Sequence, residues 1–148
     1  MLFPNLPDSS RVWVYQSQTK IAADIQEAIK AKLNVFVQGW AAHGNELFGA
    51  AEIVDDYFII LAVDESKVPA SGCSIDTSVH FIRQIGQDFQ LDFFNRLNIL
   101  IIENGSPKII HFNDVSSYSD SIIYNPLIQS LGELRSSWKV KVSASQFA

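Results

Sequence analysis

Tyr57-Phe58-Ile59-Ile60-Leu61-Ala62-Val63 is the longest apolar run in the chain. Its seven residues suit a strand at the centre of a sheet and fall far short of the ~20 that a membrane helix needs. Immediately upstream, Val54-Asp55-Asp56 reads as a turn, and Leu47 to Ile53 as the strand it returns from, so the two strands form a hairpin. Further back, Arg11-Val12-Trp13-Val14-Tyr15-Gln16 is rich in β-branched and aromatic residues and predicts the first strand.

Between these strands the period changes from two to about 3.6. Ile25, Ile29, Leu33, Phe36 and Trp40 step by four, four, three and four, one face of a helix over Ile21 to Ala42. Ser17 or Thr19 would cap its start and Gly44 its end. Downstream of the run, Pro69 and Gly72 break a loop from Asp64 to Ser74. Ile75, Val79, Ile82, Ile85 and Phe89 then line a second helix with Ser74 as its N-cap. Leu97 to Ile102 and Lys108 to Phe112 are strands joined through Asn104-Gly105. Ser116 to Ser121 reads as a loop, Ile122 to Leu131 as a short helix after Pro126 or an irregular strand, and Trp138 to Val142 as an edge strand with its lysines in water.

The resulting order is β-α-β-β-α-β, that of an α+β, ferredoxin-like sandwich with an added C-terminal hairpin and edge strand. In that topology the first strand and the apolar strand lie in the middle. Trp13 and Tyr15 share one face of the sheet, Val12 and Val14 the other. Two helices cover only one face, so the other is left to a second copy of the chain, as a homodimer, or to a ligand.

At 148 residues the chain is the length of one domain, 1–148, and no linker divides it. Its 47% hydrophobic and 18% charged content excludes intrinsic disorder. Eleven basic against 16 acidic residues, net −5, argues against the broad basic face that a nucleic-acid backbone requires. One cysteine permits no internal disulfide, and a free thiol suits the reducing cytoplasm. Met1-Leu2-Phe3-Pro4-Asn5-Leu6-Pro7-Asp8 has neither the basic nor the apolar region of a secretory signal, which points the same way.

Chemistry is best sought in Pro69-Ala70-Ser71-Gly72-Cys73-Ser74-Ile75-Asp76. Small residues leading into a helix aim backbone N–H groups at a positive terminus, which can hold an anion or lower the pKa of a thiol. Ser71, Gly72, Cys73, Ser74 and Asp76 are the binding candidates there, with Trp40 and His43 brought near by the end of the first helix. The plainer account has Ser74 capping, Asp76 answering the dipole, Gly72 turning the chain and Cys73 buried as a small hydrophobe.

A Cys73–His43 pair would make a thiol enzyme. His80 is about 10 Å along the helix from Cys73, too far to act as its base. His111 sits in a strand with no evident partner. One Cys and three scattered His carry no metal-ligand spacing, and no cofactor motif is present. The carboxylates Glu52, Asp55, Asp56, Asp64 and Glu65 gather at the ends of the hairpin. Acid–base or Mg²⁺ chemistry is one reading of them; the other has Asp55-Asp56 forming the turn and Asp64-Glu65 ending a strand in water.

Several segments also resemble a family of small bacterial proteins, common in the Bacteroidetes, that goes under the label ABC transporter ATPase. They are Arg11 to Gln16, Trp40-Ala41-Ala42-His43-Gly44, Leu61-Ala62-Val63-Asp64-Glu65, and above all Ala70 to Asp76 with Ser78-Val79-His80-Phe81. Gly132-Glu133-Leu134 followed by Trp138 is similar near the end, while Lys108 to Asn125 diverges. The label implies nucleotide hydrolysis, which needs a Gly-x-x-x-x-Gly-Lys-Ser/Thr loop. This chain has none, and no Lys follows the turn at Gly72. The expectation is therefore a cytoplasmic module that binds a small ligand or a protein without covalent chemistry, the alternatives being thiol chemistry at Cys73 and the ATPase of the label.

Overall fold

The computed structural model describes residues 1–148. In chain order it contains β1 (Arg11–Gln16), α1 (Ala23–Gly39), β2 (Ala41–Ala42), β3 (Asn45–Glu46), β4 (Gly49–Val54), β5 (Phe58–Val63), α2 (Gly72–Phe89), β6 (Asn98–Glu103), β7 (Ser106–His111), β8 (Ile122–Tyr124), α3 (Leu131–Ser137) and β9 (Lys139–Lys141). The fold is mixed α/β, its sheets antiparallel and none closed into a barrel.

The apolar run becomes β5, with all six residues buried between β1 and β4. Asp55 and Asp56, both at positive φ, make the tight turn between β4 and β5, as the twist of a two-stranded ribbon favours. Asn104 and Gly105 do the same between β6 and β7. One face of the β1-β5-β4 sheet carries Tyr15, Ile59, Leu61 and Val63 and packs against Ile29 and Leu33 of α1 and Ile82 and Ile85 of α2.

The other face is not open. Phe58, Ile60, Ala62 and Val12 are covered by Leu100 of β6, Tyr124 of β8, Leu131 and Leu134 of α3, and Trp138. The face expected to receive a second copy is thus filled by the chain's own C-terminal third. Leu100 and Ile102 point to this layer, while Ile99 and Ile101 point away to a third cluster with Ile110, Val115, Ile123 and Val142. That two-residue alternation shows the second sheet, ordered β7-β6-β8-β9, to be buried on both sides. β9 lies at its edge with Lys139 and Lys141 exposed, as the alternation of this segment implies.

Continuous pairing of β6 onto β1, which the ferredoxin-like order calls for, is not formed. β6 joins the second sheet instead, and side chains bridge the gap: Asn98 Nδ2 donates to Gln18 Oε1 at 3.1 Å, and the Gln16 side chain bonds the β6 backbone. Its Oε1 accepts from the Leu100 N–H at 2.9 Å and its Nε2 donates to the Asn98 carbonyl at 3.4 Å. At the other end of β1 the backbone of residues 129–131 fills in. Val12 N–H donates to the Gln129 carbonyl (3.1 Å) and Leu131 N–H to the Ser10 carbonyl (2.8 Å).

Three local expectations change. α1 ends at Gly39, because His43 and Gly44 form a hairpin turn at positive φ between β2 and β3 rather than a helix cap. The start of α1 has no side-chain cap, and Ser17 instead holds the Thr19 backbone. In the tail, Phe112–Tyr118 is 3-10 helix, and α3 is opened by a capping box between Ser130 and Glu133.

Asp55 also latches the two sheets. It accepts from Tyr124 Oη at 2.8 Å and pairs with Lys139 Nζ at 2.6 Å. Burial pushes its pKa up, but the hydrogen bonds from Lys139 and Tyr124 and the Lys139 charge outweigh that and hold it below the ordinary value. A depressed carboxylate stabilises the fold above its unfolded pKa, ~3.9, and the contribution disappears as pH falls through the folded value. The stability lost in Asp55→Asn is therefore expected to be full at neutral pH and to shrink below about pH 4. Urea denaturation of both proteins across that range checks it; a gap independent of pH would show that the charge contributes nothing.

Candidate functional site

The helix terminus singled out in the sequence forms three residues earlier than expected. Ser71, not Ser74, is the N-cap of α2. Ser71 Oγ accepts from Ser74 N–H at 3.1 Å, and Ser74 Oγ accepts from Ser71 N–H at 2.8 Å. Trp40 does reach this terminus. It is 2% exposed, and its indole N–H donates to the Ser74 carbonyl at 2.8 Å. Gly72 is exposed at the start of α2, Asp76 is exposed beyond its first turn, which carries no acidic residue to answer the dipole, and His43 is exposed on its hairpin.

Cys73 is exposed rather than buried, which corrects the plainer account of it. No side chain is in hydrogen-bond contact with its Sγ; its backbone carbonyl accepts from Thr77 Oγ1 at 2.8 Å. The terminus thus has its serines spent on each other and its tryptophan in the core. The carboxylates are dispersed too. Asp64 is buried and holds the N–H and hydroxyl of Ser66, not water. Glu65 accepts from the Ala70 N–H at 2.9 Å, and one oxygen of Glu52 is buried without a partner.

The structure builds a different site along the free edge of β1. On the α2 side runs a groove of about 660 Å³ lined by Arg11, Trp13, Tyr15, Arg83, Phe94 and Arg96, among others. The chain has four arginines, so three of them meet in one groove. Arg11, Arg83 and Arg96 take part in none of the ion pairs. Two are steadied by aromatic rings instead: Arg11 lies 4.9 Å from the centre of Trp13 and Arg83 4.2 Å from the centre of Phe94. Burial raises the pKa of Tyr15, against the opposing pull of a Ser78 hydrogen bond and the positive charges of Arg96 and Arg83. Both guanidinium groups therefore act on the same phenol.

A second cleft, of about 380 Å³, lies on the other side of β1. Its walls include Val14, Phe58, Tyr124, Leu127 and Trp138, and it shares Val14, Tyr15, Phe94 and Arg96 with the arginine groove. The two clefts exist because β6 diverges from β1. Sequence spacing does not associate residues 11, 83 and 96. One signal was available: each of these arginines stands two residues from an aromatic, in Arg11-Val12-Trp13, Phe81-Ile82-Arg83 and Phe94-Asn95-Arg96.

In comparisons with protein-family models, curated proteins and solved structures, nothing matches this chain. No group of three or more His, Cys, Asp and Glu residues is placed to hold a metal ion. No helix is long and apolar enough to cross a membrane.

Proposed function

We propose that the protein is a binding module whose ligand carries carboxylate or phosphate groups and is held, without covalent chemistry, by Arg11, Arg83 and Arg96. The single observation behind this reading is the meeting of three unpaired arginines in one groove of an acidic chain. A guanidinium offers a planar fork of donors that matches carboxylate and phosphate oxygens, and each charge-assisted hydrogen bond contributes about 1.5–3 kcal/mol. Trp13 and Phe94 beneath two of the guanidinium groups favour fixed orientations, which reduces the entropy lost on binding.

The same proposal takes the fold as ferredoxin-like with its fourth strand splayed away, the β1-β5-β4 order being the part it retains. It takes the chain as a cytoplasmic member of the small Bacteroidetes family it resembles, with no role for the ATPase label.

Calorimetric titration with citrate and with pyrophosphate tests the reading. Binding is expected, weakening with added salt and falling roughly tenfold or more in the Arg83→Gln/Arg96→Gln variant. Flat titrations with both anions, or affinity unchanged in the variant, would overturn it.

A further inference from the structure

The main chain of β1 supplies what the arginines alone do not, a template for an extended ligand. In antiparallel pairing, alternate residues of a strand direct both backbone groups to one neighbour. Ser17 N–H bonds to the Tyr57 carbonyl on the β5 side, so residues 11, 13, 15 and 17 face β5 and residues 12, 14 and 16 face away. Val12 N–H is taken by Gln129, and the Gln16 side chain has bridged to β6. Between these two ends, the Val12 carbonyl, both groups of Val14 and the Gln16 N–H have no partner in the chain. Val12 is buried and Val14 and Gln16 are half-buried, and backbone groups of residues so placed seek a partner. The free stretch has room for about three extended residues.

Resting on the anion-binding reading, we propose that the ligand is an acidic peptide segment that adds as a short strand to β1 opposite Val14, with the pattern acidic–apolar–acidic. A residue directly opposite Val14 exchanges both backbone hydrogen bonds with it and points its side chain to the same face as Val14. That face is the cleft walled by Phe58, Tyr124, Leu127 and Trp138, which suits leucine or phenylalanine. The residues before and after stand opposite Trp13 and Tyr15 and point to the α2 side, toward Arg11, Arg83 and Arg96. One strand therefore serves both clefts by the alternation of its side chains, as in other recognition by strand addition.

The test uses the full chain and four probes: acetyl-Gly-Glu-Leu-Glu-Gly-amide, the same peptide N-methylated at Leu, its Lys-Leu-Lys counterpart, and citrate. The Glu-Leu-Glu peptide is expected to bind, with amide shifts in the NMR spectrum centred on Val12 to Gln16. N-methylation removes the donor to Val14 and should cost about tenfold in affinity or more. The lysine peptide should not bind. If citrate binds but the Glu-Leu-Glu peptide does not, or if N-methylation changes nothing, strand addition is wrong while the anion site stands. If neither citrate nor the peptide binds, both readings fall.

Discussion

Trp40→Ala is expected to lose about 3–5 kcal/mol of stability, among the largest effects of any single substitution in this chain. The ring is 2% exposed and stands where α1, β1, β4 and α2 meet. It packs edge-on to Trp13 at 5.8 Å and against Phe36 at 5.2 Å, and it lies over Gly49, where a Cβ would come within 3.2 Å of the ring. Alanine would leave a cavity lined by all four elements, which can collapse only by moving a helix. The hydrogen bond to Ser74 is a smaller part: Trp40→Phe keeps most of the ring and should cost about 1–2 kcal/mol. Urea denaturation with an unchanged slope measures both. A loss below about 1 kcal/mol for alanine would mean that the four elements do not depend on this ring.

Arg135→Ala is expected to cost about 2–4 kcal/mol and to release the N-terminal segment before the rest of the fold. The guanidinium collects backbone carbonyls that have no place in any sheet. Its Nη2 donates to Leu2 (2.9 Å), Phe3 (2.8 Å) and Leu6 (3.1 Å), and its Nη1 pairs with Asp8 at 2.6 Å. Phe3 needs this support because it sits at φ +49° with its ring buried in the layer beneath α3. A left-handed conformation costs about 1–2 kcal/mol for a residue with a Cβ. Lysine keeps a charge for Asp8 but lacks the planar fork, so Arg135→Lys should recover less than half of the loss. Hydrogen exchange at the Leu6 and Ser10 amides, both bonded within this segment, reports its release. Full recovery by lysine would mean that the Asp8 ion pair, and not the carbonyl cluster, holds the segment.

Both predictions concern residues whose partners are remote in sequence, and the same division runs through the whole fold. Hairpins at Asp55-Asp56 and Asn104-Gly105 were legible because a turn is a matter of two or three neighbouring residues. His43-Gly44 carries the same kind of signal, but it follows a clean helical stripe and reads as that helix's end. Ser71 and Ser74 are both good caps, and the choice between them rested on which serine the reciprocal bond would place outside the helix. The candidate site shows the limit most clearly. Ser71 to Asp76 drew attention because its pattern is contiguous, whereas Arg11, Arg83 and Arg96 come from β1, α2 and the loop after it.

By itself the sequence determined the two helices on one sheet face, the apolar strand at the sheet's centre and the sides to which Trp13, Tyr15, Val12 and Val14 point. These follow from periods of 2 and 3.6, which are written along a few consecutive residues. Only the tertiary structure decided that β6 leaves β1, that the C-terminal third covers the second face, and that three arginines share a groove. The Gln16 side chain that bridges β1 and β6 bonds to a backbone 84 residues away. Contacts at such separation depend on how whole layers pack, and no local pattern records them.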